Sequence, residues 1–199
     1  MSGVVLPFSK SPSDLASARG FRSFKTSESI VYTRRCCRDA LIQATLDESI
    51  RQIGTCDTSD LPHDTFFSFS VVMGNKSCAV AVCDSSSGLI SIKPKDFDLS
   101  FAISRSALLS EPICTVARTV WASRDELVPP DFQVELLHFL SKNSSAVALG
   151  ELRKLVALPE NWVSAILSLA CRGIIAIDFR RPLSDRTTVR STERVNSVI

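Results

Sequence analysis

Asp131-Phe-Gln-Val-Glu-Leu-Leu-His-Phe-Leu-Ser-Lys142, Leu149-Gly-Glu-Leu-Arg-Lys-Leu-Val-Ala157 and Pro159-Glu-Asn-Trp-Val-Ser-Ala-Ile-Leu-Ser-Leu-Ala-Cys-Arg-Gly173 decide how this chain reads. The first sets Phe132, Leu136, Leu137, Phe139 and Leu140 on one side of a helix. The second brings Leu149, Leu152, Leu155 and Val156 to helical spacing. The third opens on Pro159, whose fixed φ suits a first helical turn, and stops at Gly173. Ile174-Ile-Ala-Ile-Asp-Phe179 is β-branched and strand-like. Arg180-Arg-Pro-Leu-Ser-Asp-Arg186 makes a basic turn, from which Thr187-Thr-Val-Arg190 returns as a partner strand.

Three helices followed by a basic hairpin is the order of a winged helix-turn-helix, a module that lays its third helix in a DNA groove. Double-stranded DNA is therefore the expected partner. In the third helix Trp162, Ala165, Ile166, Leu169 and Ala170 form the apolar stripe. That leaves Asn161, Ser164, Ser168 and Arg172 as the residues presented to the groove. Arg180, Arg181, Arg186 and Arg190 are the expected phosphate contacts. The set facing outward is sparse for a helix that reads bases. The same fold used to grip a protein, as an adaptor subunit of a DNA-processing complex, stays open.

The chain has 199 residues, of which 45% are hydrophobic and 22% charged, ordinary values for a globular protein of one large or two small domains. Its net charge of +2 is unevenly spread. Residues 1–38 carry seven basic and two acidic side chains, 39–130 carry seven and twelve, and 131–199 carry nine and seven. The ends are basic and the centre acidic, so Arg19, Arg22, Lys25, Arg34 and Arg35 are expected to add electrostatic grip. No apolar run approaches the roughly 20 residues of a membrane helix. Met1–Phe8 is short for a signal peptide and lacks a charged leader, so a cytoplasmic location is expected and no membrane partner.

Seven cysteines without a Cys-x-x-Cys, and two histidines distant from each other, argue for buried free thiols over zinc or disulfides. No Gly-rich phosphate loop, Gly-x-Ser-x-Gly or His-x-x-x-His occurs. A Cys–His nucleophile pair drawn from His63 with Cys78 or Cys83 is a chance expectation among so many cysteines. Trp121 and Trp162 read as core anchors.

Residues 1–26, rich in Ser with Pro7, Pro12 and Gly20, are expected to form a flexible basic arm. An α/β domain is expected over 27–128, with Pro129-Pro130 as the boundary. The winged helix then occupies 131–190, and 191–199 is a tail. Within the α/β part, Cys37, Ala40, Leu41 and Ala44 lie along one helical face, and Asp47–Ile53 reads as a further turn with Ile50 and Ile53 inward. Phe67, Phe69, Val71 and Met73 alternate with Ser68, Ser70 and Val72 before Gly74-Asn75-Lys76, and Ser77-Cys-Ala-Val-Ala-Val-Cys83 follows, a β-hairpin signature. Leu89–Lys93 is a possible short strand and Phe101–Leu109 reads as helix. Ile113–Trp121 fits strand or helix equally.

Helix, hairpin with a buried second strand, and helix form the skeleton of a small mixed sheet flanked by helices, the PD-(D/E)xK restriction-endonuclease-like core. Residues 29–130 resemble, more narrowly, the N-terminal domain of TnsA-type transposon endonucleases. The resemblance rests on Arg38-Asp39-Ala40-Leu41 with Leu46–Ile53, on Pro62-His63-Asp64-Thr65-Phe66, and on Val80-Ala81-Val82-Cys83-Asp84. It implies a helix carrying a Glu, a metal-binding Asp at Asp64, and Glu-x-Lys or Gln-x-Lys at the third piece. Here those last positions are Ala81 and Cys83, and the helix offers Thr33, Cys36 and Cys37. One carboxylate without a Lys does not assemble a Mg²⁺ nuclease site. The expectation is a catalytically degenerate domain with no cofactor. A displaced Mg²⁺ site drawn from the vestigial candidates Asp64, Asp84 and Lys93 is the alternative that would make the chain an active endonuclease.

Overall fold

The computed structural model describes residues 19–56, 61–85, 88–89, 96–143, 145–155 and 158–192. Lys93, Lys95, the first eighteen residues and the tail from 193 lie outside them. The fold is mixed α/β. Strands β1 (Arg19–Phe21) and β2 (Ile30–Tyr32) form a small antiparallel pair ahead of helix α1 (Arg35–Leu46). A five-stranded mixed sheet follows, built from β3 (Ile50–Gly54), β4 (Thr65–Met73), β5 (Lys76–Cys83), β6 (Gly88–Leu89) and β7 (Leu99–Ser104). Its order is β3-β4-β5-β7-β6, with β5 and β7 parallel and the other pairs antiparallel. The near-continuous apolar run Cys78–Cys83 is what a central strand covered on both faces requires, and all six residues are buried.

Two expectations for this region give way. Asp47–Ile53 is not a helical turn, because β3 begins at Ile50 and pairs with β4. The register shifts between Ile50 and Gln52, and this irregularity turns Ile50 and Ile53 to the same side, imitating helical spacing. Phe101–Leu109 is a strand through Ser104, alternating half-buried and buried residues, and only then the short helix α2 (Arg105–Leu108). The Ser104 hydroxyl caps that helix by accepting the Ala107 N–H at 3.2 Å. The ambiguous Ile113–Trp121 stretch is helix α3 (Ile113–Ala122).

The C-terminal part comprises α4 (Pro130–Lys142), β8 (Val147–Ala148), a 3-10 helix at Leu149–Lys154, α5 (Trp162–Cys171), β9 (Ile175–Ile177) and β10 (Thr188–Ser191). Its antiparallel sheet runs β8-β10-β9. The second expected helix is only the 3-10 turn. The Leu149 N–H is donated to Thr187 and the Gly150 N–H to Asp185, so both serve the hairpin and not a longer helix. A Cβ on Gly150 would stand 3.0 Å from that of Asp185, so the glycine permits the approach. At the end of α5, Ile174 N–H reaches back to Leu169 O and Gly173 adopts φ +69°, a left-handed helix stop. The Phe24 ring lies against Gly173 where any Cβ would sit.

One apolar cluster runs through the whole molecule. It joins Phe21, Leu41, Ile53 and Phe69 of the N-terminal part to Phe132, Leu136, Leu152, Ile166 and Val189 of the C-terminal part. Helix α3 packs on both α1 and α5 and forms the joint. A buried charge pair pins it. Asp39, 2% exposed, accepts Arg118 Nε at 2.9 Å and Nη2 at 2.6 Å, a bidentate bond between α1 and α3.

The expected mobile arm does not extend to residues 19–26. Phe21 is buried and stacks on Trp121 with ring centroids 5.1 Å apart, while Trp162 is half-buried beneath the Arg153 guanidinium. Lys25 is buried too, and its ammonium donates to Ala44 O and Asp47 O at the C-terminal end of α1. A cation there meets the negative end of the helix dipole. The described cysteines are all reduced, and all but Cys56 are buried. Among the described residues no helix is long and apolar enough to cross a membrane.

Candidate nucleic-acid interface

The turn from Asp178 to Thr187 is ordered by its own polar groups. Arg180 N–H donates to Asp178 Oδ1 at 3.0 Å, and Ser184 N–H donates to Thr187 Oγ1 at 2.9 Å. Thr187 N–H returns to Ser184 O at 2.9 Å, and Arg186 N–H to Ser184 Oγ at 3.3 Å. Asp185 also receives Arg153 Nη2 at 2.9 Å, fastening the tip to the 3-10 helix. These bonds consume backbone groups and two acids, Asp178 and Asp185, and leave Arg180, Arg181 and Arg186 exposed. None of the three makes an ion pair among the described residues. Arg190 differs, since its guanidinium pairs with Glu48, two residues before β3, and straps the hairpin to the large sheet.

The third helix does not present the expected reading face. Ser168 is fully buried, and its hydroxyl lies 3.3 Å from Arg124 O and 3.0 Å from Glu126 O. Arg172 Nη2 donates to the same Glu126 carbonyl at 2.8 Å, and Asn161 Nδ2 binds the Glu126 carboxylate. Ser164 is half-buried. The loop from Ser123 to Pro129 therefore bonds to the side of α5 that was assigned to a groove, and Ser168 leaves the set of candidate DNA contacts. A signal for this stood in the sequence. Trp162–Cys171 contains no charged residue, and a helix apolar all round is a buried one. Ala165–Cys171 are accordingly buried without interruption.

At the open end of the β4–β5 hairpin, the segments of Asp64-Thr65 and Cys83-Asp84 lie side by side. Thr65 stands opposite Cys83 in the sheet register, and Thr65 Oγ1 lies 3.4 Å from Cys83 Sγ. Asp64 Oδ2 accepts Ser85 N–H at 3.3 Å and Ser85 Oγ at 2.9 Å. Burial pushes the Cys83 thiol up, and the Asp64 and Asp84 carboxylates push it the same way. Ala81 has no donor atom and Cys83 is a buried, protonated thiol. That set does not suit Mg²⁺, which takes oxygen ligands. Among the described residues no three His, Cys, Asp or Glu side chains stand together as a metal site. Lys93, the remaining member of the displaced set, lies outside the described residues.

Two arrangements, a cation–π contact and a cleft, escaped the sequence reading. Arg34, Arg35 and Arg38 crowd the positive end of α1, which has no acid in its first turn, and Arg34 rests over the Phe66 ring at 4.5 Å. A cleft of about 640 Å³ also opens between the large sheet and the β9–β10 hairpin, with Phe179, Arg180, Arg181 and Arg190 on its hairpin side. The cleft has no local signature, since it joins residues far apart in the chain. Of the arginine cluster only the contact with Phe66 is hidden, because Arg34 and Arg35 are already expected to add electrostatic grip. Arg19, Arg22 and Arg35 are exposed, whereas Lys25 is spent on α1. No protein-family model matches the chain, and no curated protein matches it.

Proposed function

We propose that this chain is a non-catalytic DNA-binding protein, a nuclease-like α/β body without a working metal site followed by a winged helix. Helix α4, the 3-10 turn, α5 and the β9–β10 hairpin follow the winged-helix order, which supports the second half of that reading. The observation that carries the function is the exposed trio Arg180, Arg181 and Arg186 on a turn whose backbone is already satisfied. Guanidinium groups held out by an ordered hairpin suit phosphate oxygens, and phosphate contacts supply most sequence-independent affinity. Recognition here is of backbone and shape, because Asn161, Ser168 and Arg172 are turned to Glu126.

Fluorescence anisotropy with a labelled blunt duplex across a salt series tests this. Affinity should fall steeply with salt, with a log–log slope reduced by about 0.9 for each phosphate contact removed. Arg180→Ala with Arg181→Ala should weaken low-salt binding about tenfold or more. Absence of binding at low salt, or an unchanged slope in the double variant, defeats the proposal.

A protein-adaptor reading draws on a different observation. Leu127 and Val134 are 83% and 68% exposed on the loop and helix around α4. Recovery of one stoichiometric protein partner free of nucleic acid would select it.

A further inference from the structure

The cleft beside the basic turn has the volume of a small-ligand site, about 640 Å³, and room for a single nucleotide. Val71, Val80 and Ile103 of the large sheet contribute an apolar floor, and Ile177 and Phe179 an apolar wall. Phe179 is half-buried, and the next two residues are the exposed Arg180 and Arg181 on the same lip. An aromatic ring followed directly by two free guanidinium groups offers one place for a base and another for its phosphate. The acids on the walls are engaged. Glu48 is held by Arg190, Asp178 accepts the Arg180 N–H, and Asp47 accepts Ser49 N–H and O–H.

We infer that this cleft receives one unpaired nucleotide, its base against Phe179 and its phosphate on Arg180 and Arg181. The inference rests on the DNA-binding reading and narrows its substrate to DNA carrying an unpaired end or an unpaired base. Extruding a paired base costs a few kcal/mol, whereas an overhang already offers its base unstacked. The chain therefore prefers overhanging to blunt DNA.

The test compares anisotropy titrations of a blunt duplex with the same duplex bearing three-nucleotide 5′ or 3′ overhangs. At least one overhang should bind about five- to tenfold tighter, the scale of one base–aromatic contact. Phe179→Leu should erase that preference and leave blunt-duplex affinity within about twofold. Ala146→Trp, at an exposed position lining the cleft, should do the same by filling it without touching the core. Equal binding of blunt and overhanging DNA overturns the inference and leaves the duplex reading intact. A preference that survives both variants also overturns it. No binding of either DNA at low salt removes both readings together.

Discussion

Helix α5 and the turn that follows β9 are close neighbours in the chain and opposites in what they do. The helix has ten residues and no charge, and it is buried continuously from Ala165 to Cys171. Arg180–Arg186 holds three arginines and one acid, and all of it but the half-buried Leu183 is exposed. In the expected module both would face DNA, one reading and one gripping. Here the helix has become the C-terminal face of the joint between the two halves of the molecule, packed on the joining helix α3 and crossed by the Ser123–Pro129 loop. The comparison teaches that the order of elements does not say which face is left free. Burial of the helix is worth stability, and the turn is free to be worth affinity.

The largest test of that contrast is Leu169→Ala in the fully buried face of α5. It should cost about 2–5 kcal/mol in urea unfolding. Both halves should melt in one transition because they share one core. A loss below about 1 kcal/mol would mean that α5 is not part of the joint.

Second is pH. Burial pushes the Cys171 thiol up to about 12, and it donates to Val120 O at 3.2 Å. The folded chain holds that proton more tightly than the unfolded one does. Its stability contribution is complete below about pH 9 and shrinks by about 1.4 kcal/mol per unit as pH rises from there towards 12. Thermal melts from pH 8 to 11 should show the wild type losing ground to Cys171→Ala, and parallel curves would place the thiol in solvent.

Third, Ser168→Ala removes the hydroxyl that bonds the loop and should cost about 1–2 kcal/mol by chemical denaturation. Its affinity for duplex should stay within about twofold of wild type. Weakened binding at unchanged stability would restore Ser168 to a groove. Smallest is Arg190→Ala. Its pair with Glu48 is half-exposed on both sides, so the loss should be under about 1 kcal/mol and vanish in high salt.

Much of the framework was legible because local patterns carry it. The alternation of Phe67, Phe69 and Val71, the turn at Gly74 and the apolar run after Lys76 announce β4 and β5. Cys37, Ala40, Leu41 and Ala44 announce α1, and Gly173 announces the end of α5. What misled was local as well. A bulged strand placed Ile50 and Ile53 on one face at helical spacing, and a strand running straight into a short helix hid the boundary at Ser104. The candidate site was legible only as a string of arginines. That Arg190 is engaged while Arg180, Arg181 and Arg186 are not depends on Glu48, 142 residues away.

From composition and order alone come an α/β chain of free thiols with a long hairpin, a basic C-terminal turn, and an apolar run through Ala81 and Cys83. Those are properties of residue type and near-neighbour spacing, which the backbone expresses wherever the segment sits. Only the assembled fold decided that Lys25 caps α1, that Asp39 and Arg118 meet across 79 residues, and that α5 is covered. It also placed Phe179 at a cleft. Burial and pairing between distant segments arise from packing around a shared core, and no periodicity within a segment records which partner it will find.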